Sequence, residues 1–191
     1  MDSPLATAAD ALLAKVSPPA LVNHCKRTYA FGTALLNQAG RGFDAEALYV
    51  AAMLHDLGLT DAYEDGVTPF EVRGADIAAA QLLDMGADPD FIALVHDAIA
   101  LHLEMNAPKD PRPEVADVSL GAAVDVLGLR IDKLPASFVA QTLETFPRLG
   151  FKDLLIPAIE RQARLKPDSL VARHLDEFAF AQLVAAAPFA D

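Results

Sequence analysis

Several common features are scarce in this chain, and each scarcity excludes something. It has one cysteine, Cys25, which rules out an internal disulfide and fits a reducing compartment. No apolar run approaches the ~18 residues needed to span a bilayer. Positive charge is sparse: 15 Lys and Arg stand against 27 Asp and Glu, for a net charge of −12, with no basic cluster. Such a surface repels phosphate backbones and anionic lipids, so neither nucleic acid nor a membrane is expected as a partner. The opening "MDSPLATAAD" is acidic and lacks a basic leader segment, so no signal peptide is expected and the cytoplasm is the expected location. Internal repeats, low-complexity tracts and interdomain linkers are also missing, and strand signals are nearly absent.

Apolar residues at helical spacing fill what remains. Hydrophobic residues make up 53% of the 191, enough to bury a substantial core, and the simplest organisation is a single all-α domain. The periodicity predicts helices near Pro4–Val16, Pro19–Gln38, Asp44–Asp56, Gly74–Met85, Pro89–Met105, Glu114–Leu129, Ala136–Thr145, Lys152–Leu165 and Leu175–Ala186. Asp44 and Ser137 suit N-caps, and Pro19 and Pro89 suit first turns. The longest irregular stretches, "TDAYEDGVTPF" and "NAPKDPRP", are candidates to cover a site. The apolar stretch "FAFAQLVAAAPFA" near the C-terminus predicts a contact with a second copy, hence a homo-oligomer.

Four residues are out of keeping with the helices that carry them. His24 shares a stripe with Leu21, Phe31 and Leu35, while Lys26, Arg27 and Asn37 point elsewhere on the wheel. In "AAMLHDLGLT", His55 follows Leu48, Ala51 and Ala52 at helical spacing and so faces the core. Asp56 comes next, at a helix C-terminus whose partial negative charge disfavours a carboxylate. Asp125 lies in "SLGAAVDVLGL", an otherwise apolar run with no Lys or Arg within a turn or two, and an ionised carboxylate buried there needs a partner. A divalent metal would balance all four, since two imidazoles and two carboxylates around it form a neutral set. A second His-Asp pair, His96-Asp97, sits mid-helix and reads as structural. His102 shares a face with Val95, Ala98 and Ile99; the wheel sets it about 120° from His96, so the two do not address one point.

His24, then His55-Asp56, then Asp125 resembles the signature of the HD superfamily of metal-dependent phosphohydrolases and hydrolases. The segments "LVNHCKRTYAFG", "LHDLGLT", "FEVRGADIAA", "AIALH", "AVDVLGLR" and "FPRLGFK" are similar, in order, to its cyanamide-hydratase-like branch. The likeness covers about residues 20–165, and helices over 166–191 are expected to pack on that core within one HD-like domain spanning 1–191. The resemblance implies a helical hydrolase or hydratase whose metal activates water for attack on a small molecule. Two-metal members typically carry a histidine where Phe70 stands here, which argues for one ion.

His24, His55, Asp56 and Asp125 are thus the expected ligands of one divalent metal, with Zn, Fe, Mn, Co and Ni all compatible. Because four ligands in a tetrahedron would close a zinc site, catalysis needs a higher coordination number with room for water. His102 is the expected acid/base or substrate contact, and Asp56 doubles as ligand and base. Phe70, Glu71 and Lys26 are candidates for the substrate pocket, with Glu71 alternatively pairing with Arg73. Three functions compete: a hydratase or hydrolase of a nitrile-like carbon–nitrogen group, a nucleotide or phosphomonoester phosphohydrolase, and a non-enzymatic helical module with a structural metal. Few Lys or Arg lie near the proposed site, which favours the first.

Overall fold

Proline and small polar residues start most of the helices. In the computed structural model, which describes residues 1–190 and leaves Asp191 outside the described residues, ten α-helices follow one another. Ser3 caps α1 (Pro4–Val16) by accepting a hydrogen bond from the Ala6 amide. Proline opens α2 (Pro19–Gln38), where a missing N–H costs nothing. Asp44 caps α3 (Ala45–Leu54) through the amides of Glu46 and Ala47. There follow α4 (Phe70–Asp84), α5 (Pro89–Ala100), α6 (Pro113–Leu127), α7 (Ala136–Thr145), α8 (Phe151–Leu165), α9 (Leu170–Phe178) and α10 (Phe180–Ala185). No strand occurs among the described residues, and no helix there is long and apolar enough to cross a membrane.

The core is built around α3, whose residues from Ala47 to Leu54 are all buried, with α1, α4, α5 and α6 packed about it. Burial of each large aliphatic side chain is worth about 1.5–3 kcal/mol. The pairing of α2 with α6 is the most extensive, and close. A Cβ on Gly121 would fall 2.1 Å from the Thr28 carbonyl oxygen, so only glycine lets the two backbones approach this far. A second apolar cluster, with Phe70, Phe151, Leu155, Ile159, Val171 and Val184, joins α8–α10 to the rest.

Several boundaries differ from the sequence expectation. The third helix ends at Leu54, before the His-Asp pair, and α4 starts four residues earlier than Gly74. The fifth helix stops at Ala100, which leaves His102 in the following turn. The last expected helix is two: capped by Ser169, α9 starts five residues upstream of Leu175, and Ala179 breaks the run with φ 52°. Ser137 lies inside α7 and caps nothing; Pro135 holds the cap position.

Candidate metal centre

The His-Asp pair sits on a turn rather than on a helix. Past Leu54 the chain keeps helical angles at His55, departs at Asp56 (φ −105°, ψ 13°) and tightens into a 3-10 turn over Leu57–Leu59. That turn is pressed against the start of α4: a Cβ on Gly58 would lie 2.1 Å from the Phe70 carbonyl oxygen. Glycine after the pair is therefore a demand of close packing. His24 comes from the middle of α2, His102 from the turn after α5, and Asp125 from α6.

Three of the four expected ligands converge. One ligand atom from each of His24, His55 and Asp56 lies within 4.8 Å of the others, and all three residues are buried. His24 Nε2 is 3.1 Å from His55 Nε2, and Asp56 Oδ2 is 3.3 and 3.5 Å from the two nitrogens. The tautomers follow from the other side of each ring. A carbonyl oxygen can only accept, so His55 Nδ1 carries the hydrogen it donates to Ala52 O at 2.8 Å. His24 Nδ1 donates to Asp125 Oδ2 at 2.7 Å, and His102 Nδ1 to Ile99 O at 2.7 Å. The lone pairs of His24 and His55 Nε2 then meet each other and a carboxylate. Only a cation can sit among such acceptors: a proton on His24 Nε2, or a metal ion. Donor chemistry and burial fit the latter, and backing each ligand histidine with a hydrogen bond on its far nitrogen is how proteins orient metal ligands.

The electrostatics agree. Burial pushes His55 down to about 4, so its imidazole is neutral near pH 7. Burial would do the same to His24, but its bonds to Asp125 and Asp56 outweigh this and lift it above its ordinary value. For Asp56, burial is overcome by the three surrounding imidazoles, which hold the carboxyl well below the usual carboxylate range. His102 is lowered by burial, and its Nε2 lies 3.8 Å from Asp56 Oδ1.

Asp125 lies behind His24 and does not join the convergent group, and its charge is not unpartnered as the sequence suggested. Arg27 grips it with two bonds, Nε to Oδ1 at 2.7 Å and Nη2 to Oδ2 at 2.9 Å, and Arg148 Nη1 adds a third at 3.0 Å. Neither arginine was anticipated. Arg27, expected to point elsewhere on the wheel than the His24 stripe, is completely buried. Arg148 arrives from the segment before α8, 23 residues away in the chain. Phe151 stacks on His24 at 4.5 Å and lies under both guanidinium groups, so the His24–Asp125–Arg27 unit is fixed on every side.

A cavity of about 370 Å³ opens over His24, His55, Asp56 and His102. Phe70 lines it, its ring 5.8 Å from that of His102. Glu71 is buried beside it with Oε2 unpartnered, and burial raises its carboxyl; it does not line the cavity. The suggested Glu71–Arg73 pair does not form, since Arg73 Nε donates to Tyr63 O. Lys26 lies away from the cavity, beside Asp10 at 3.6 Å. His96 and Asp97 are outside too: Asp97 pairs with Arg112 and His96 with Asp76. Of the two long loops, "NAPKDPRP" contributes Pro108 to the wall, and "TDAYEDGVTPF" reaches the cavity only through its last residue, Phe70, being held to α8 by Glu64, Gln162 and Lys166. His174 on α9 is a wall residue that the sequence did not flag; the helix was expected to begin one residue after it.

Comparison with known proteins adds the lineage. Two curated proteins of Saccharomyces cerevisiae, cyanamide hydratase DDI2 and cyanamide hydratase DDI3, are each 22% identical to this chain over 151 residues, which is 77% of this chain and 67% of theirs. The family model described as HD domain matches residues 21–130, more than half of the sequence and the whole stretch from His24 to Asp125. On that match, and on the His24, His55 and Asp56 side chains gathered within it, the chain belongs to the HD domain family.

Proposed function

We propose that this protein is a metal-dependent hydrolase or hydratase that adds water to a small, uncharged carbon–nitrogen group of the nitrile or cyanamide type. His24, His55 and Asp56 would hold one divalent ion, with Asp125 fixing His24 from behind. When bound, the ion would supply Lewis acidity and a water of lowered pKa. His102 would move the proton: its Nδ1–H is committed to Ile99, its Nε2 has no hydrogen-bond partner, and burial favours the neutral ring. The proton it takes from water is returned to the substrate nitrogen, and Asp56 Oδ1 at 3.8 Å steadies the imidazolium in between.

The observation that carries this choice is the lining of the cavity. Its ionisable groups are Asp56, Glu104 and four imidazoles, and no lysine or arginine lines it among the described residues. Phosphoryl transfer needs cationic side chains to hold the phosphate, and the two arginines nearest the centre are both bound to Asp125. Similarity to two cyanamide hydratases points the same way. The test is metal analysis of the purified protein, with cyanamide, simple nitriles and phosphate esters assayed side by side. Turnover of a carbon–nitrogen substrate that tracks metal content is expected. Turnover of phosphate esters alone, or full activity after metal removal, would overturn the proposal.

A further inference from the structure

The cavity is far too large and too apolar for a substrate the size of cyanamide. A molecule of three heavy atoms occupies roughly twice the liquid share of a water, ~60 Å³, against a cavity of about 370 Å³. The remaining space is walled mainly by Val126, Leu155, Ile159, Val171, Phe178 and Phe180. Water in such a space finds few hydrogen-bond partners, whereas an apolar cavity of about 150 Å³ already suffices to take up benzene.

Part of the wall has a distinct origin. His24, His55, Asp56 and His102, which form the polar floor, all fall inside the segment matched to the HD domain family, residues 21–130. Leu155, Ile159, Val171, Phe178, Phe180 and Leu183 come from α8–α10, beyond it. The break at Ala179 lets both flanking phenylalanines reach the cavity, and it does so in the left-handed region that a non-glycine residue adopts only at a cost. The mouth is apolar as well: Met105, Leu129, Phe178 and Leu183 all line the cavity and are 45–65% exposed.

From this we infer that the substrate is amphipathic: an uncharged reactive head of a few atoms at the His24–His55–Asp56 floor, carrying an alkyl or aryl body that fills the space under α8–α10. The inference rests on the proposed carbon–nitrogen chemistry for the identity of the head but not for the body. Helices α8–α10 then act as the specificity element, and the family core supplies the chemistry. Each methylene moved from water into the cavity should raise kcat/KM about fourfold until the chain reaches the mouth.

The experiment uses the metal-loaded, full-length protein and two readouts. One is kcat/KM for cyanamide and for unbranched nitriles from acetonitrile to hexanenitrile. The other is displacement of the neutral fluorescent probe N-phenyl-1-naphthylamine by the same nitriles, which needs no turnover. Both should strengthen steadily with chain length. Ala123→Phe, which fills the cavity from α6, should flatten both series without loss of metal. Leu183→Glu, at the exposed rim where folding is not at stake, should weaken the longer nitriles most. Cyanamide turnover with a flat nitrile series and no displacement would overturn the inference and leave the proposed chemistry standing. Displacement that grows with chain length while neither cyanamide nor any nitrile reacts would support the amphipathic site and refute the carbon–nitrogen head. A slope unchanged in Ala123→Phe would place the apolar body elsewhere and sink the assignment.

Discussion

Replacing Arg27 by leucine tests whether Asp125 is balanced by arginine rather than by an ion. The guanidinium is fully buried and donates at 2.7 and 2.9 Å to Asp125 and at 2.8 Å to the Phe146 carbonyl. Leucine keeps much of the volume but strands a buried carboxylate with only Arg148 and His24 against it. Breaking one side of a buried ion pair costs about 3–5 kcal/mol. Unfolding entropy near ~2.1 cal/mol/K per residue gives about 0.4 kcal/mol/K for 191 residues, so the melting temperature should fall by about 7–12 °C. Calorimetry on chelator-treated protein is the assay, because no ion can then compensate. The Arg27→Leu/Asp125→Leu double variant should regain part of the loss. Arg27 touches the metal centre only through Asp125 and His24, so it is a positioning residue. Its loss should also weaken metal binding about 10- to 100-fold in a chromophoric-chelator competition. A metal-free Arg27→Leu protein melting within about 2 °C of wild type would refute the electrostatic account.

Three further outcomes follow from the same geometry. His24 is raised by its carboxylate partners, so in metal-free protein its proton stabilises the fold below its unfolded value, near 6.5, and that stabilisation fades as pH climbs through the raised one; a metal must displace this proton, so its affinity should fall with acidity below that point and calorimetry in buffers of different ionisation enthalpy should detect proton release. His102→Ala should retain its metal while activity drops about 10²–10⁴-fold; a parallel fall in metal content would make His102 a ligand, and unchanged turnover would make it core. Asp117 is buried with both oxygens unpartnered, and burial raises it to about 8. The folded state then binds the extra proton, so stability should decline as pH rises from about 4 to 8, and Asp117→Asn should flatten that decline in melts at stepped pH; an unchanged slope would show the carboxyl is solvated or paired.

What could be read from the sequence was mostly local. Helix starts at Pro4, Pro19, Asp44 and Pro89 follow from cap and first-turn chemistry within a few residues, and the inward faces of His24 and His55 follow from apolar neighbours at helical spacing; His102 is buried as expected, but from the turn after α5. What escaped was long-range. Nothing within one helix reveals that Arg27 reaches Asp125 across 98 residues. One signal is local: Arg27 lies three residues after His24 on adjoining parts of the wheel, close enough for its guanidinium to turn inward. Asp117 went unnoticed although it shares the apolar context that drew attention to Asp125. The α9–α10 break at Ala179 has no glycine or proline to announce it, and so His174 and the Phe178–Phe180 wall were not anticipated.

The arginines change what the centre can do. Four ligands balancing one divalent ion would form a neutral set with no electrostatic bias toward ionising a bound water. With Arg27 and Arg148 included, the buried Asp56, Asp125 and two guanidinium groups already cancel, leaving the full charge of an ion uncompensated by its surroundings. A positive site walled by apolar side chains strengthens every interaction with developing negative charge, because little solvent screens it. With an ion bound, such a site would favour loss of a proton from water and, on the proposed chemistry, accumulation of charge on the nitrogen of a neutral substrate. A phosphate would also be drawn to such a charge, but among the described residues no lysine or arginine lines the cavity to hold its remaining oxygens, and Glu104 stands on the wall. On the proposed carbon–nitrogen chemistry, the two arginines act from behind His24 by neutralising Asp125, and not by holding the substrate.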